Sequence, residues 1–230
     1  MADIQSLIKK GKPAAPSKFI VMGDPFTGKT TLAAKAPKPL FLSFDGNAAK
    51  AGLDAIDGVS MDIVREAVQN FFPKSDYQTL VIDTVEGVAD LFERSVIDQY
   101  QQETGTRIQS LNDVPYGKLT GQYNRKMAAF AETLLGLPKN VIVLSYTKRQ
   151  IDDVTNSVVL ASELKNINKF TKFADGMILT TYDGEKYQAR MISKRTVMAG
   201  EVDYGGIIDF LKAAGWEMPQ RKTKLSSTKR

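Results

Sequence analysis

The residues that most restrict this chain's fold are GDPFTGKT, Gly23–Thr30, set directly behind the apolar run Lys18–Met22. The spacing is G-x-x-x-x-G-K-[ST]. Such a loop between a strand and a helix turns successive backbone N–H groups toward one point. Gly23 and Gly28 allow the tight path this requires. A ring of N–H groups at a helix start binds phosphate. Lys29 then reaches the β- and γ-phosphates of a nucleotide, and the Thr30 hydroxyl ligates Mg²⁺. The expected cradle comprises Gly23, Asp24, Pro25, Phe26, Thr27, Gly28, Lys29, Thr30 and Thr31.

The rest of the chain supplies the alternation of strands and helices that such a loop needs. A helix is predicted over Lys29–Ala36, stopped by Pro37 and Pro39, and a strand over Leu40–Phe44. Apolar spacing predicts a helix over Met61–Phe72, followed by the strand TLVID, Thr79–Asp83, and a helix within 86–103. Residues 105–118 read as a loop. Leu119, Tyr123, Met127, Phe130, Leu134 and Leu137 then recur at steps of three and four, the stripe of an amphipathic helix. A fourth strand is predicted over Asn140–Ser145, a polar stretch over 147–166 and a short helix near 163–173. MILTTY and KYQARMIS flank Asp183 and Gly184 as a hairpin, and Ile207–Ala214 closes the chain as a helix. This order implies a three-layer α/β domain with a mainly parallel sheet and a C-terminal antiparallel hairpin.

Composition narrows the chemistry. The 230 residues include no cysteine and no histidine. Disulfides, thiolate metal sites and the commonest general base are therefore excluded, and any metal is a hard, oxygen-bound cation such as Mg²⁺. No apolar run approaches the roughly 18 residues that span a bilayer, and the first residues lack a hydrophobic export core, so a cytoplasmic protein is expected. The net charge of +5 sits at the ends. Residues 221–230 hold five basic groups and no acid, residues 1–19 hold four lysines against Asp3, and the body between is slightly acidic. The expected organisation is a basic arm over 1–17, an ATPase domain over 18–216 and a basic tail over 217–230. Such ends attract polyanions or simply keep a protein soluble.

Asp83 ends an apolar strand and is the natural second anchor for Mg²⁺, beside Thr30. Thr84 follows it, which argues against sites of the AAA+ type, where a glutamate after the aspartate activates water. Without histidine, that task falls to another carboxylate. Asp45, at the end of the second strand, reaches the same sheet edge as Lys29 and Asp83; Glu86 is the next candidate. Guanine recognition usually needs an Asn-Lys-x-Asp element. The nearest string, Asn168-Lys169-Phe170-Thr171, lacks the aspartate, so ATP is preferred over GTP.

Three stretches together resemble the phage-encoded, RecA-like single-strand annealing ATPases of the Sak type. They are FIVMGDPFTGKTTLAAKAPKPLFLSFDG, TLVIDTVEG, and the run from YGKLTGQYNRKMAAFAETLLGLPKNVIVLSYTKR through ADGMILTTYDGEKYQARMISKR. The resemblance covers roughly residues 7–215. It implies that Asp45 activates water, and that Tyr146 or Thr147 stands where relatives carry a γ-phosphate sensor, commonly glutamine or histidine. Lys194 and Arg195 then correspond to a basic finger entering a neighbouring subunit's site. The segments 105–118 and 149–166 correspond to two DNA-binding loops. In and beside these segments, Arg107, Lys118, Lys148, Arg149, Lys165, Lys169 and Lys172 supply cations for phosphates, and Tyr116 and Phe170 supply rings for bases.

The resulting expectation is a RecA-like ATPase of a phage in its bacterial host. It binds ATP and Mg²⁺ between like subunits, binds single-stranded DNA, and promotes annealing, with a single-strand-binding protein as a further partner. A DNA motor or loader, or a nucleotide-gated regulator that scarcely hydrolyses ATP, are the alternatives.

Overall fold

Two strands, β1 (Lys18–Gly23) and β4 (Thr79–Asp83), are buried along their whole length. Unbroken apolar runs take this form when both faces of a sheet are covered. The computed structural model describes residues 17–58, 60–151, 158–162, 167–172, 174–194 and 208–215. Lys165, Arg195, nearly all of the basic arm and the whole basic tail lie outside them.

After β1 come α1 (Lys29–Ala33), β2 (Pro39–Ser43), α2 (Asn47–Lys50), β3 (Ala55–Asp57) and α3 (Met61–Glu66). The helix predicted over Met61–Phe72 is not uniform. It widens into a π-helical stretch, Ala67–Phe71, before an α-helical turn at Phe72–Lys74. Then follow β4, α4 (Val85–Thr104) and two short 3₁₀ turns, Leu111–Asp113 and Pro115–Gly117, within the segment expected to be a loop. The last elements are α5 (Lys118–Leu135), β5 (Asn140–Ile151), β6 (Val158–Ser162), α6 (Asn168–Thr171), β7 (Gly176–Tyr182), β8 (Tyr187–Lys194) and α7 (Ile208–Ala213).

The sheet runs β3-β2-β4-β5-β1-β7-β8, with β6 paired to the projecting end of β5. All pairings are parallel except β7 with β8 and β5 with β6. Alternate residues of each strand enter different cores, as the two-residue period of a strand requires. Ile20, Leu42, Ile82 and Val143 pack with Val68, Phe92, Phe130 and Leu134 beneath α3, α4 and α5. Phe19, Val21, Val81 and Ile142 pack with Leu32, Phe210 and Leu211 beneath α1 and α7. The domain is thus three-layered, mainly parallel, with an antiparallel hairpin last, as expected from the sequence.

One expectation needs correction. The fourth strand does not stop at Ser145 but continues to Ile151 and folds against β6. Residues of the supposed polar loop therefore form a two-stranded arm. The extension of the fourth strand, Thr147–Ile151, opens on four polar residues, and its partner Val158–Ser162 pairs with it alone, so the first half of the arm lacks the apolar run that marks a central strand.

At its start β1 is fastened by Lys18. The buried Nζ donates to the carbonyl of Leu137 at 2.7 Å and to that of Lys139, while the backbone N–H donates to Asp175 Oδ2 at 2.8 Å. Burial lowers the Lys18 pKa to about 8, with Asp175 acting in the opposite direction.

Candidate nucleotide-binding site

The loop leaves β1 at Gly23 and enters α1 at Gly28, whose φ of 85° lies in the left-handed region that glycine adopts freely. Gly23 is required for a different reason, its close packing. A Cβ there would lie 2.2 Å from Thr180 Oγ1 and 2.7 Å from the Thr180 carbonyl oxygen. Within the loop, Thr27 Oγ1 donates to the Asp24 carbonyl at 2.8 Å. Lys29 Nζ donates to the carbonyls of Gly23 and Asp24, both at 2.9 Å, and lies 4.6 Å from the centre of the Tyr146 ring. Burial lowers the Lys29 pKa, opposed by the nearby carboxylates of Asp83, Glu86 and Asp24. A phosphate replacing these neutral carbonyls would supply the full counter-charge that the buried ammonium lacks.

Beside the lysine, Thr30 Oγ1 donates to Asp83 Oδ2 at 2.9 Å. Burial raises the Asp83 pKa; Asp45 and Glu86 act in the same sense, while the Thr30 bond and Lys29 oppose them. These groups border a cavity of about 400 Å³ whose walls include Phe26, Gly28, Asp45, Tyr146 and Tyr187. Among the described residues no cluster of three or more acids could hold a metal alone. Thr30 and Asp83 instead offer the few protein ligands typical of Mg²⁺, which completes its shell with phosphate oxygens and water. The residues present therefore fit Mg²⁺ bound together with a nucleotide. A second cavity, about 330 Å³, shares Gly28, Thr31 and Tyr187 with the first and is otherwise walled by Thr27, Leu32, Lys35, Thr180, Gln188, Ala189 and Ala213.

The sequence matches the protein family described as an AAA domain over residues 15–210. The chain belongs to this family. Within the AAA-domain frame its sheet has the RecA-like arrangement of P-loop NTPases, with the loop strand β1 between β5 and β7. Among solved structures, a KaiC-like protein of the hyperthermophilic archaeon Pyrococcus horikoshii aligns at 13% identity and a TM-score of 0.44. The alignment covers 84% of this chain and 88% of that one. No curated protein matches.

In this AAA domain the residue after Asp83 is Thr84, joined to it by a cis peptide bond, so the carboxylates that could act on water lie elsewhere. Asp45 does border the phosphate cavity, but it is exposed and its oxygens serve a turn. Oδ1 accepts from Asn47 N at 2.9 Å and Ser43 Oγ at 3.3 Å, and Oδ2 accepts from Asn47 Nδ2 at 2.6 Å. Glu86 does not line that cavity. Its Oε1 accepts from Ser145 Oγ at 2.6 Å and from Tyr146 N at 3.1 Å, while its buried Oε2 has no hydrogen-bond partner. Burial raises its pKa, with the Ser145 hydrogen bond the foremost opposing influence. Tyr146 lies over Lys29, and Thr147 Oγ1 donates to Asp24 Oδ1 on the loop. The two residues expected at the sensor position thus both touch the phosphate loop. Their contacts cross more than a hundred residues of chain, and no local pattern announces them.

The remaining expected site residues divide. Arg107, Lys118, Lys148, Lys172 and Tyr116 are exposed. Lys194 ends β8, and Arg149 lies on β5. One expectation is overturned. Phe170 is fully buried, its ring edge-on to Phe130, so it belongs to the core and offers no face to a base. Lys169 is half-buried with Nζ donating to the Asn124 carbonyl at 2.8 Å and to Asn124 Oδ1 at 3.0 Å, and burial lowers its pKa. It is a fastening between α6 and α5 rather than a free cation. Among the described residues, no helix is long and apolar enough to cross a membrane.

Proposed function

We propose that this protein is a Mg²⁺-dependent ATPase that binds single-stranded DNA and promotes annealing or pairing of complementary strands, with ATP held where like subunits meet. The observation that carries the nucleotide half is the Thr30–Asp83 hydrogen bond at the floor of a cavity shared with Lys29. That is the pair of ligands a Mg²⁺–triphosphate needs, already in register. When bound, the ion would offset charge on the phosphates; Lys29 would orient them and loop N–H groups would hold them. The second cavity has the dimensions of a nucleobase and a mixed wall, with Leu32, Ala189 and Ala213 to pack on a ring and Thr27, Thr180 and Gln188 to hydrogen-bond its edge, and Tyr187 is common to both cavities.

Support for the DNA half comes from the segment 105–118. Tyr116 is fully exposed, with φ of 61°, between exposed Arg107 and Lys118. A bare ring flanked by cations suits a base and its phosphates. Lys148 on the arm is a further exposed cation, and the basic residues of 1–19 and 221–230 supply charge to attract DNA or the acidic tail of a single-strand-binding protein. Lys194, which ends β8, and Arg195, next in sequence, are the groups proposed to reach a neighbouring subunit's ATP.

The test is ATP turnover with and without single-stranded DNA over a series of protein concentrations. Stimulation by DNA, a specific activity that rises with concentration, and loss of both in Lys29→Ala are expected. Tyr116→Ala should weaken DNA affinity about 5- to 100-fold, the range that loss of one stacked base represents. Turnover indifferent to DNA would refute the DNA half, and directional unwinding would point to a motor. A second reading, a nucleotide-gated regulator with slow hydrolysis, is favoured by one observation: the Asp45 carboxylate is engaged by Asn47 and Ser43. Nucleotide binding with neither turnover nor DNA affinity would select it.

A further inference from the structure

We propose that Glu86 is a positioning residue that makes the β5–β6 arm respond to nucleotide, an inference that rests on the nucleotide reading above. Three features converge on it. First, Glu86 lies in the first turn of α4, which is anchored in the core by Val85, Val88 and Ala89, so its carboxylate is mounted on a rigid support. Second, it holds two successive residues, Ser145 through Oγ and Tyr146 through N–H. These stand where β5 leaves the sheet: Ser145 and Tyr146 still pair with Met22 and Gly23, and from Thr147 onward the strand pairs with β6. Third, Ser145 Oγ is 2.8 Å from Ser162 Oγ, at the end of β6.

The proton positions follow from the partners. A carboxylate only accepts, so the Ser145 hydroxyl donates to Glu86 and must itself accept from Ser162. The result is a directed chain, Ser162 to Ser145 to Glu86, across the joint of the arm. On its other side the same joint touches the phosphate loop, through the Tyr146 ring over Lys29 and Thr147 on Asp24. Lys29 must leave the carbonyls of Gly23 and Asp24 to reach a phosphate. That departure loosens the contacts holding the joint from the loop side, while Glu86 holds it from the Asp83 side. The unpartnered Oε2 leaves Glu86 an acceptor still free to take a bond when the joint shifts. Because Glu86 lies outside the cavity wall, it acts through Ser145 and Tyr146 rather than on the nucleotide.

The test is amide hydrogen exchange at residues 147–151 and 158–162 of the full chain, alone and with Mg²⁺ and ATPγS, alongside the affinity for mant-ATP. In the wild type, nucleotide should change exchange at these amides about fivefold or more. Glu86→Ala should cut that change below about twofold while mant-ATP affinity stays within about threefold. Glu86→Gln keeps an acceptor oxygen and should retain the response. Ser162→Ala, remote from the nucleotide, should lose it, and serves should Glu86→Ala fail to fold. A full response in Glu86→Ala or in Ser162→Ala overturns the proposal, as does a glutamine variant that fails like alanine. Wild-type binding of mant-ATP with no change in the arm overturns this inference alone. Absence of mant-ATP binding overturns the nucleotide reading and this inference with it.

Discussion

Gly23→Ala should unfold much of what the phosphate loop depends on, and the reason is measurable in the packing around one missing methyl group. A Cβ at residue 23 would lie 2.2 Å from Thr180 Oγ1, 2.4 Å from Thr27 Oγ1 and 2.7 Å from the Thr180 carbonyl oxygen. The two hydroxyls can turn away, but the carbonyl belongs to β7 and is fixed by the β1–β7 pairing of Gly23 with Thr180. Turning the hydroxyls sacrifices the 2.9 Å contact between Thr27 and Thr180 and the 3.2 Å bond from Thr180 to the Met22 carbonyl. Two such bonds contribute roughly 1 kcal/mol each. Forcing the strands apart adds about 1–3 kcal/mol, and the stiffer unfolded chain returns roughly 0.4–1 kcal/mol. The expected loss is about 2–5 kcal/mol, a large fraction of the roughly 5–15 kcal/mol that holds a domain together. Urea titration of Gly23→Ala against wild type measures it, with mant-ATP binding as the functional readout. Adding Thr180→Ala removes the shortest contact but not the carbonyl, so it should restore only part of the loss. A loss below about 1 kcal/mol, or complete rescue by Thr180→Ala, would refute the packing argument.

Three further outcomes test the site. Asp83 is raised above the ordinary carboxylate range, so in the window between the two values the folded state holds more protons than the unfolded one. Its contribution to stability therefore falls as pH rises through that window, whereas Mg²⁺–nucleotide affinity rises, because the metal needs the anion. Asp83→Asn should flatten the pH profile of Mg²⁺–mant-ATP binding and weaken it on the order of tenfold, equivalent to about 1.4 kcal/mol. Lys18 is lowered to about 8, so between that pH and its ordinary value the unfolded state binds more protons and stability rises with pH. The gain should approach roughly 3 kcal/mol and be absent from the urea-derived stability profile of Lys18→Met. Asp45→Asn should leave mant-ATP affinity nearly intact and slow turnover by about 10²–10⁴ if Asp45 serves as the base; unchanged turnover would remove it from the reaction.

Much of this was legible in the sequence, for reasons that also explain what was not. Lys18–Met22, Thr79–Asp83 and Asn140–Ser145 read as strands because central parallel strands must be apolar on both faces. The loop chemistry of Lys29 and Thr30 and the position of Asp83 follow from local spacing and the strand order. β3 escaped because three residues at an edge carry no pattern, and the arm because its strands pair with each other, off the main path of the sheet. Phe170, between a lysine and a threonine, gave no sign that α6 packs on α5. The grip of Tyr146 on Lys29 and of Glu86 on Tyr146 joins residues that only the finished sheet brings together. The AAA-domain match confirms the nucleotide-binding frame without addressing what the surface carries.

The strand order also bears on how the molecule is made. β1 bears the phosphate loop and precedes every other described strand, yet its sheet neighbours β5 and β7 lie more than a hundred residues further along the chain. Lys18 pairs with Val141, and Phe19 with Gly176. A nascent chain that has reached residue 130 therefore carries the whole GDPFTGKT loop with neither neighbouring strand to brace it. Closure over such long sequence separations is slow compared with helix formation. Nucleotide affinity should thus appear abruptly along the growing chain, once the residues of β7 have cleared the ribosome, long after the motif itself has been made.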